Sequence, residues 1–350
     1  EAIVNSINAM FGEACQEAGV DRRNIREIDV AANCTMMHML LGVDARSIGR
    51  SPYRPMFTEA KDLPAREIGI EAAEDTRLYC LPQVSAYIGA DIVAGAYVCE
   101  LWKERGNVLF IDIGTNGEIV LASNGRLLSC SCAAGPALEG MNISSGMRAS
   151  EGAVEDVEIT DQGIRLKVIG GQEPVGLCGS GILAVVKELL RTGIVKKTGV
   201  FVKKDKLKED DYLYPMIQMN GTKREFILCE NPKLLVTQGD VRQVQLAKGA
   251  ILSGFMALLG KAGISMEDLD KVMIAGQFGA HLPAESLIGI GILPREVEGK
   301  LVYLGNSSKT GAYMTLMSER VKREMELLAG KMEYMELAET ENYERIFTES

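Results

Sequence analysis

Apolar residues at Ile3, Ile7, Met10, Phe11 and Cys15 recur every three to four positions, which predicts a helix over 2–18 that stops at Gly19. A short apolar run predicts a strand from Glu27 to Ala31. It leads through Asn33-Cys34-Thr35 to a compact helix, Met36 to Leu41, closed by Gly42. Residues 51–62, with two prolines, read as loop, and 83–101 as a strand and then a helix around Gly89-Ala90-Asp91. The pattern then changes to strands. Three runs at 108–115, 117–123 and 126–133 predict a meander, with Asn124-Gly125 as its second hairpin turn. A glycine-rich stretch (135–152) and a strand pair (155–169) follow. Cys178-Gly-Ser-Gly181 opens a helix to Leu190, with Ser180 as the expected N-cap. Residues 196–236 are rich in charge and read as a surface excursion of β-hairpins. Asp240 and Gln243 stand three apart at the head of a helix running to about Leu259, in a capping-box-like arrangement. Lys271 to Ala275 is a predicted strand, Gly276 to Gly279 a loop, Leu301 to Leu304 a strand, and Ser307 the start of a helix. Strands in runs, then alternating with helices, indicate an α/β architecture. There is no internal repeat.

Length and composition narrow the class. At 350 residues two lobes are expected, and the polar segment Lys103 to Asn107, with Gly106, is the expected boundary, dividing 1–105 from 106–350. Apolar residues make up 47% and charged residues 25%, as in a well-cored globular protein. The net charge of −10 argues against a nucleic-acid surface but leaves room for a local phosphate cleft. The apolar run Ile251 to Leu259 is too short to span a bilayer. The N-terminus has no signal pattern and no initiator Met, so the stretch reads as part of a longer chain. The eight cysteines (15, 34, 80, 99, 130, 132, 178 and 229) never form Cys-x-x-Cys. They fit free thiols in a reducing cytoplasm rather than a metal or cluster site.

The chemistry concentrates in four glycine-rich turns: DIGTNGE (112–118), AAGPALEG (133–140), CGSG (178–181) and AGQFG (275–279). In the first, a buried strand delivers Asp112 to a sharp turn of Gly114, Thr115, Asn116 and Gly117. This puts a carboxylate, a hydroxyl, an amide and several backbone N–H groups together, as a phosphate and its metal require. It is not a Walker A loop, since no Gly-Lys-Ser/Thr follows. A tight hairpin whose Asp112 bonds only its own turn is the plainer reading. Gly179, Ser180 and Gly181 open a helix whose N-terminus favours anions. Gly276, Gln277, Phe278 and Gly279 could support an adenine or ribose, or the glycines could serve close packing. Glu118 could orient water or metal, or face solvent. Glu139 could act in the site or complement a helix N-terminus. Lys248 could reach a ribose or phosphate, or be solvated. His38, in an apolar helix, reads as a core histidine. With His281 as its only companion, it gives no basis for a Ser-His-Asp triad. The 17 methionines read as core fillers, with an adaptable docking face as the alternative.

The ordered set resembles the actin-like, sugar-kinase and heat-shock-chaperone ATPase superfamily. It is more similar still to the ATP-dependent reductive activators of corrinoid proteins. The resemblance rests on Asn33 to Gly42, Gly89-Ala90-Asp91, Asp112 to Glu118, Ser131 to Gly140, Gly146-Met-Arg148, CGSG, Gln238-x-Asp240, Ala275 to Gly279 and Gly305-Asn306, and spans nearly the whole chain. Ala32 and Cys34 depart from the family's usual Gly and Thr. The resemblance implies a two-lobed ribonuclease-H-like (actin-like ATPase) fold, with the first lobe truncated at its N-terminus and an iron–sulfur domain upstream. It implies ATP with Mg as cofactors and Asp112 as the metal and catalytic carboxylate beside Glu118. Gly114 to Gly117, CGSG, Lys248 and AGQFG would bind nucleotide. The implied partner is the corrinoid protein of a methyltransferase system, approached by Ser131, Gly135 and Glu139, with no nucleic acid or membrane and with homodimerisation open. Its cobalt, as Co(II), would accept the electron, and the stretch alone is expected to be inactive. A small-molecule kinase and a nucleotide-gated binding module are the competing readings.

Overall fold

A computed structural model describes residues 1–207, 212–221, 223–276 and 281–350. In chain order, helix α1 (Ala2–Ala18), strand β1 (Glu27–Val30) and helix α2 (Cys34–Leu40) precede β2 (Lys61–Pro64), β3 (Arg77–Cys80) and α3 (Ala90–Val98). The meander is β4 (Val108–Ile113), β5 (Gly117–Ser123) and β6 (Arg126–Cys132). Strands β7 (Ala153–Thr160), β8 (Gly163–Val168) and β9 (Gly176–Leu177) lead into α4 (Gly179–Arg191). Then come β10 (Ile217–Asn220), β11 (Lys223–Glu230), β12 (Lys233–Thr237), α5 (Gln238–Ala262), β13 (Lys271–Ala275) and α6 (Ala284–Ile290). The chain closes with β14 (Leu301–Gly305), α7 (Ser307–Met317), α8 (Glu319–Ala329), β15 (Met332–Tyr334) and α9 (Tyr343–Glu349).

The central sheet has the order β14-β13-β4-β5-β6-β15, with β14 parallel to β13 and β15 parallel to β6. Val108 to Ile111 are buried to within 1% of complete, and a strand buried on both faces reads as a continuous apolar run, as this one does. Two compact units emerge. One comprises Glu1–Phe110, Glu118–Ser131 and Asn306–Glu336, and the other Ile111–Gly117, Cys132–Gly305 and Leu337–Ser350. The first holds its own sheet, β1-β3-β2, in which β1 and β3 run parallel and β2 antiparallel to β3. The second holds β8-β7-β9 and the charged excursion, which is the antiparallel sheet β10-β11-β12.

Several local expectations need correction. The strand before α3 is β3, at 77–80, and does not lie in 83–101; Leu78, Tyr79 and Cys80 are the buried residues. Ser180 is not an N-cap, because Cys178 is the extended residue at that position and Ser180 is already inside α4. The capping box of α5 is Thr237 with Asp240 rather than Asp240 with Gln243. Thr237 Oγ1 accepts from Asp240 N–H at 3.2 Å and Asp240 Oδ2 accepts from Thr237 N–H at 2.8 Å. A hydroxyl one residue before the helix competes better for its free N–H groups than a carboxylate already within the first turn. Asp240 is only 3% exposed, and its other oxygen accepts from Ser144 N–H and Oγ, so this buried carboxylate is fully hydrogen-bonded. All eight cysteines are free thiols, five of them buried. Among the described residues no helix is long and apolar enough to cross a membrane.

Candidate functional site

Asp112 sits next to last in β4, half-buried in a strand that is otherwise fully buried. The turn after it is tight: Gly114 N–H donates to Asn116 O at 2.9 Å. Thr115 and Asn116 are exposed at its tip, and Gly117 returns the chain into β5. Two residues from the AAGPALEG segment meet this tip. Gly135 N–H donates to Thr115 O at 2.8 Å, and Thr115 Oγ1 donates to Glu139 Oε1 at 2.5 Å. Glu139 therefore serves the turn, as the last residue of a short 3-10 helix.

Gly276 completes the arrangement from β13, the neighbour of β4 in the sheet. Its N–H donates to Gly305 O at 3.1 Å and its φ is +91°. A Cβ at this position would stand 2.5 Å from Asp112 Oδ1 and 3.0 Å from Ile113 O. Only glycine tolerates both the backbone angle and that approach. The sheet thus lays a bare stretch of backbone beside the carboxylate, joining two motifs far apart in sequence. Gln277, Phe278 and Gly279, expected to complete the adenosine loop, lie outside the described residues.

A cavity of about 410 Å³ opens in the same unit, lined by Glu139, Arg148, Cys178, Gly179, Ser180 and His281 among others. Glu139 belongs both to this cavity and to the Asp112 turn, so the two are continuous through one side chain. Ser180 is 7% exposed, with its Oγ 3.3 Å from Cys178 Sγ, at the first turn of α4 where backbone N–H groups remain unpaired. Arg148 brings a guanidinium and His281 an imidazole to the lining. Arg148 follows a loop and has no local pattern of its own. Its signal was only its place in the Gly146-Met-Arg148 segment.

Other candidates lie elsewhere or do other work. The end of the Lys248 side chain runs along Gly291, the C-cap of α6, where a Cβ would stand 3.3–3.4 Å from its Cε and Nζ. A helix C-terminus suits a cation, and Lys248 does not line the cavity. Glu118 is the second residue of β5, half-buried, and Ser131 is half-buried next to the end of β6. Gln238, one of the residues that carry the family resemblance, holds loops together: its Oε1 accepts from Phe201 N–H at 3.0 Å and its Nε2 donates to Gly199 O at 2.6 Å. His38 is a core histidine, 0% exposed and stacked on Phe57 at 4.4 Å.

Among the described residues no three His, Cys, Asp or Glu side chains converge on a metal position. The half-buried carboxylate of Asp112 beside a turn of backbone N–H groups fits a magnesium ion whose remaining ligands are phosphate oxygens and water.

A family model described as the C-terminal domain of RACo, the ASKHA domain, matches residues 106–350, and one described as the RACo middle region matches 1–104. The corrinoid activation enzyme RamQ of Eubacterium limosum is 34% identical over 330 residues, 91% of this chain and 54% of the relative. The [Co(II) methylated amine-specific corrinoid protein] reductase of Methanosarcina barkeri is 27% identical over 339 residues, 88% of this chain and 58% of the relative. A solved reductive activator for corrinoid, iron-sulfur protein superposes with a TM-score of 0.87 at 35% identity, covering 99% of this chain and 55% of its own. The chain spans about half the length of these relatives. Its fold is that of the actin-like ATPases. With the two models matching residues 1–104 and 106–350, the chain belongs to the RACo family, with matches to its middle region and its ASKHA domain.

Proposed function

We propose that the chain is the ATP-binding and ATP-hydrolysing part of a reductive activator that drives an electron onto the inactive Co(II) corrinoid of a methyl-transfer protein. The placement of Asp112 against the bare backbone of Gly276, with Thr115 and Glu139 at the same turn, carries this reading. Asp112 would hold magnesium, and the N–H groups of Gly114 to Gly117 the phosphates. Thr115 and Asn116 would add hydrogen bonds, Gly179 to Gly181 a helix N-terminus, and the segment from Gly276 the adenosine. Bound magnesium supplies charge neutralisation at the phosphates. The chain's own contribution is positioning and preorganised electrostatics around the attacking water, with Glu118 or Glu139 as the orienting carboxylate.

Residues 1–105 and 106–350 would form parts of two lobes, whose closure couples nucleotide to partner. Coupling requires that ATP bind the two states with different affinity. Ser131, Gly135 and Glu139 would face the corrinoid protein, and the electron would come from an iron–sulfur domain in the rest of a longer protein, working in the cytoplasm. The relatives named for corrinoid activation and Co(II) reduction support this partner class.

The test uses the full-length protein. ATP turnover should rise with a Co(II) corrinoid protein and not with a panel of sugars. Asp112→Ala should lower corrinoid-dependent turnover about 10²-fold while circular dichroism stays unchanged. Turnover driven by a sugar would identify a small-molecule kinase instead. Near-normal turnover in folded Asp112→Ala would remove the carboxylate from the mechanism.

A further inference from the structure

Helix α2 divides its side chains unevenly. Cys34, Met37, His38 and Leu40 are buried, while Met36 and Met39 stand 49% and 56% exposed. The irregular segment that follows, 43–56, is folded back onto α2 and fastened from beneath. Met56 N–H donates to His38 Nε2 at 3.0 Å, so that nitrogen is the acceptor. The proton therefore sits on Nδ1, which donates to Cys34 O at 2.8 Å. Next along the chain, Phe57 stacks on the same imidazole, and Ile48 is buried beside Cys34 and Ala86. Although the loop is anchored in this way, Met56 is 64% exposed and Tyr53 39%. Fastened backbone carrying outward methionines is a preorganised yet adaptable apolar surface.

The segment that carries Met56 is locally cationic. Segment 43–56 carries three arginines and one aspartate within a protein of net charge −10. Arg46 is taken by Asp44 at 2.6 Å. Exposed Arg50 and Arg54 have no ion pair among the described residues, whereas Arg22, Arg26, Arg66 and Arg77 of the same unit each meet a carboxylate. An acid-rich chain that leaves two neighbouring guanidiniums unneutralised around exposed methionines presents the complement of an acidic, apolar-centred surface. A second copy of the chain, equally anionic, is a poor match.

We infer that the face made by Met36, Met39, Met56, Arg50 and Arg54 docks an acidic surface of a protein partner. Resting on the reading above, that partner is the corrinoid protein. The methionines supply adaptable packing at the centre of the contact, and the arginines steer the encounter.

Methionine-oxidation footprinting of the full-length protein, with and without a Co(II) corrinoid protein, tests this directly. Met36, Met39 and Met56 should be protected about fivefold in the complex, with Met219 and Met256, exposed elsewhere, unchanged. The double variant Arg50→Glu, Arg54→Glu should bind the corrinoid protein about tenfold more weakly, chiefly in association rate and at low salt. Its ATP hydrolysis without corrinoid should be unaltered, and Arg50→Lys with Arg54→Lys should retain most of the affinity. A complex that leaves the three methionines reactive overturns the docking face and leaves the proposed function standing. No complex and no activation with the wild type overturns both. Protection by self-association, or binding to phosphatidylserine vesicles that the charge reversal abolishes, overturns the assignment to a protein partner.

Discussion

Gly114, in the turn after Asp112, and the two glycines that open α4 differ in what an added side chain would meet. At Gly114 an added Cβ would meet nothing closer than Asn116 O at 3.8 Å and Glu139 Oε1 at 3.9 Å. At Gly179 it would lie 1.9 Å from Leu138 O, and at Gly181 2.0 Å from Val154 O. The first glycine leaves room that a ligand can occupy, whereas the other two let a helix end press against neighbouring carbonyls. Glycine in a motif is thus ambiguous between making space and using it up, and only the surrounding atoms decide.

The contrast can be tested by substitution. Gly179→Ala and Gly181→Ala should each destabilise the fold by roughly 3 kcal/mol, because backbone oxygens cannot yield as a flexible side chain can. Urea midpoints read this, and wild-type midpoints would mean that α4 moves freely. Gly114→Ala should behave differently: stability should change by less than about 0.5 kcal/mol, while ATP affinity of the full-length protein falls about tenfold as the methyl enters phosphate space. Calorimetric titration separates the two, and unchanged affinity would make this turn a mere hairpin.

A smaller effect comes from the first unit, where burial pushes the Asp29 carboxyl up to about 6 from its ordinary 3.8, with Thr315 and Lys322 only partly opposing. A carboxyl whose folded pKa is raised favours the fold while protonated. Its contribution is fully present below pH 3.8 and is lost as pH rises through about 6. Asp29→Asn should therefore raise Tm more at pH 7.5 than at pH 4, by roughly 2–4 °C, since both carboxylate oxygens are buried. A gain equal at both pH values would assign it to packing rather than to charge.

How much of this was legible follows the range of the signals. The β4–β5 hairpin was readable because continuous apolar runs and turn residues are local signals, and so was α1 with its closing Gly19. The cap of α5 was misread by one turn, since Thr237, Asp240 and Gln243 all carry capping side chains and only the backbone angles choose among them. That Gly179 and Gly181 also make room for neighbouring carbonyls was not legible, because those carbonyls come from Leu138 and Val154, which no local window includes. The methionines divide likewise. Met37 is core filling, and Met36 and Met39, on the same helix, are not. Arg148 joins the cavity through loop geometry, and the only hint of it in the sequence was its place in the Gly146-Met-Arg148 segment.

The close approach of Gly276 to Asp112 also has a consequence in time. β4 is made early and β13 late, so during synthesis the carboxylate waits through most of the second unit before the backbone that fixes it arrives. Contacts of such long sequence separation form late and slowly. At the proposed site nucleotide binding would therefore await β13, and ATP taken up by a folding population would count the molecules that have completed their sheet.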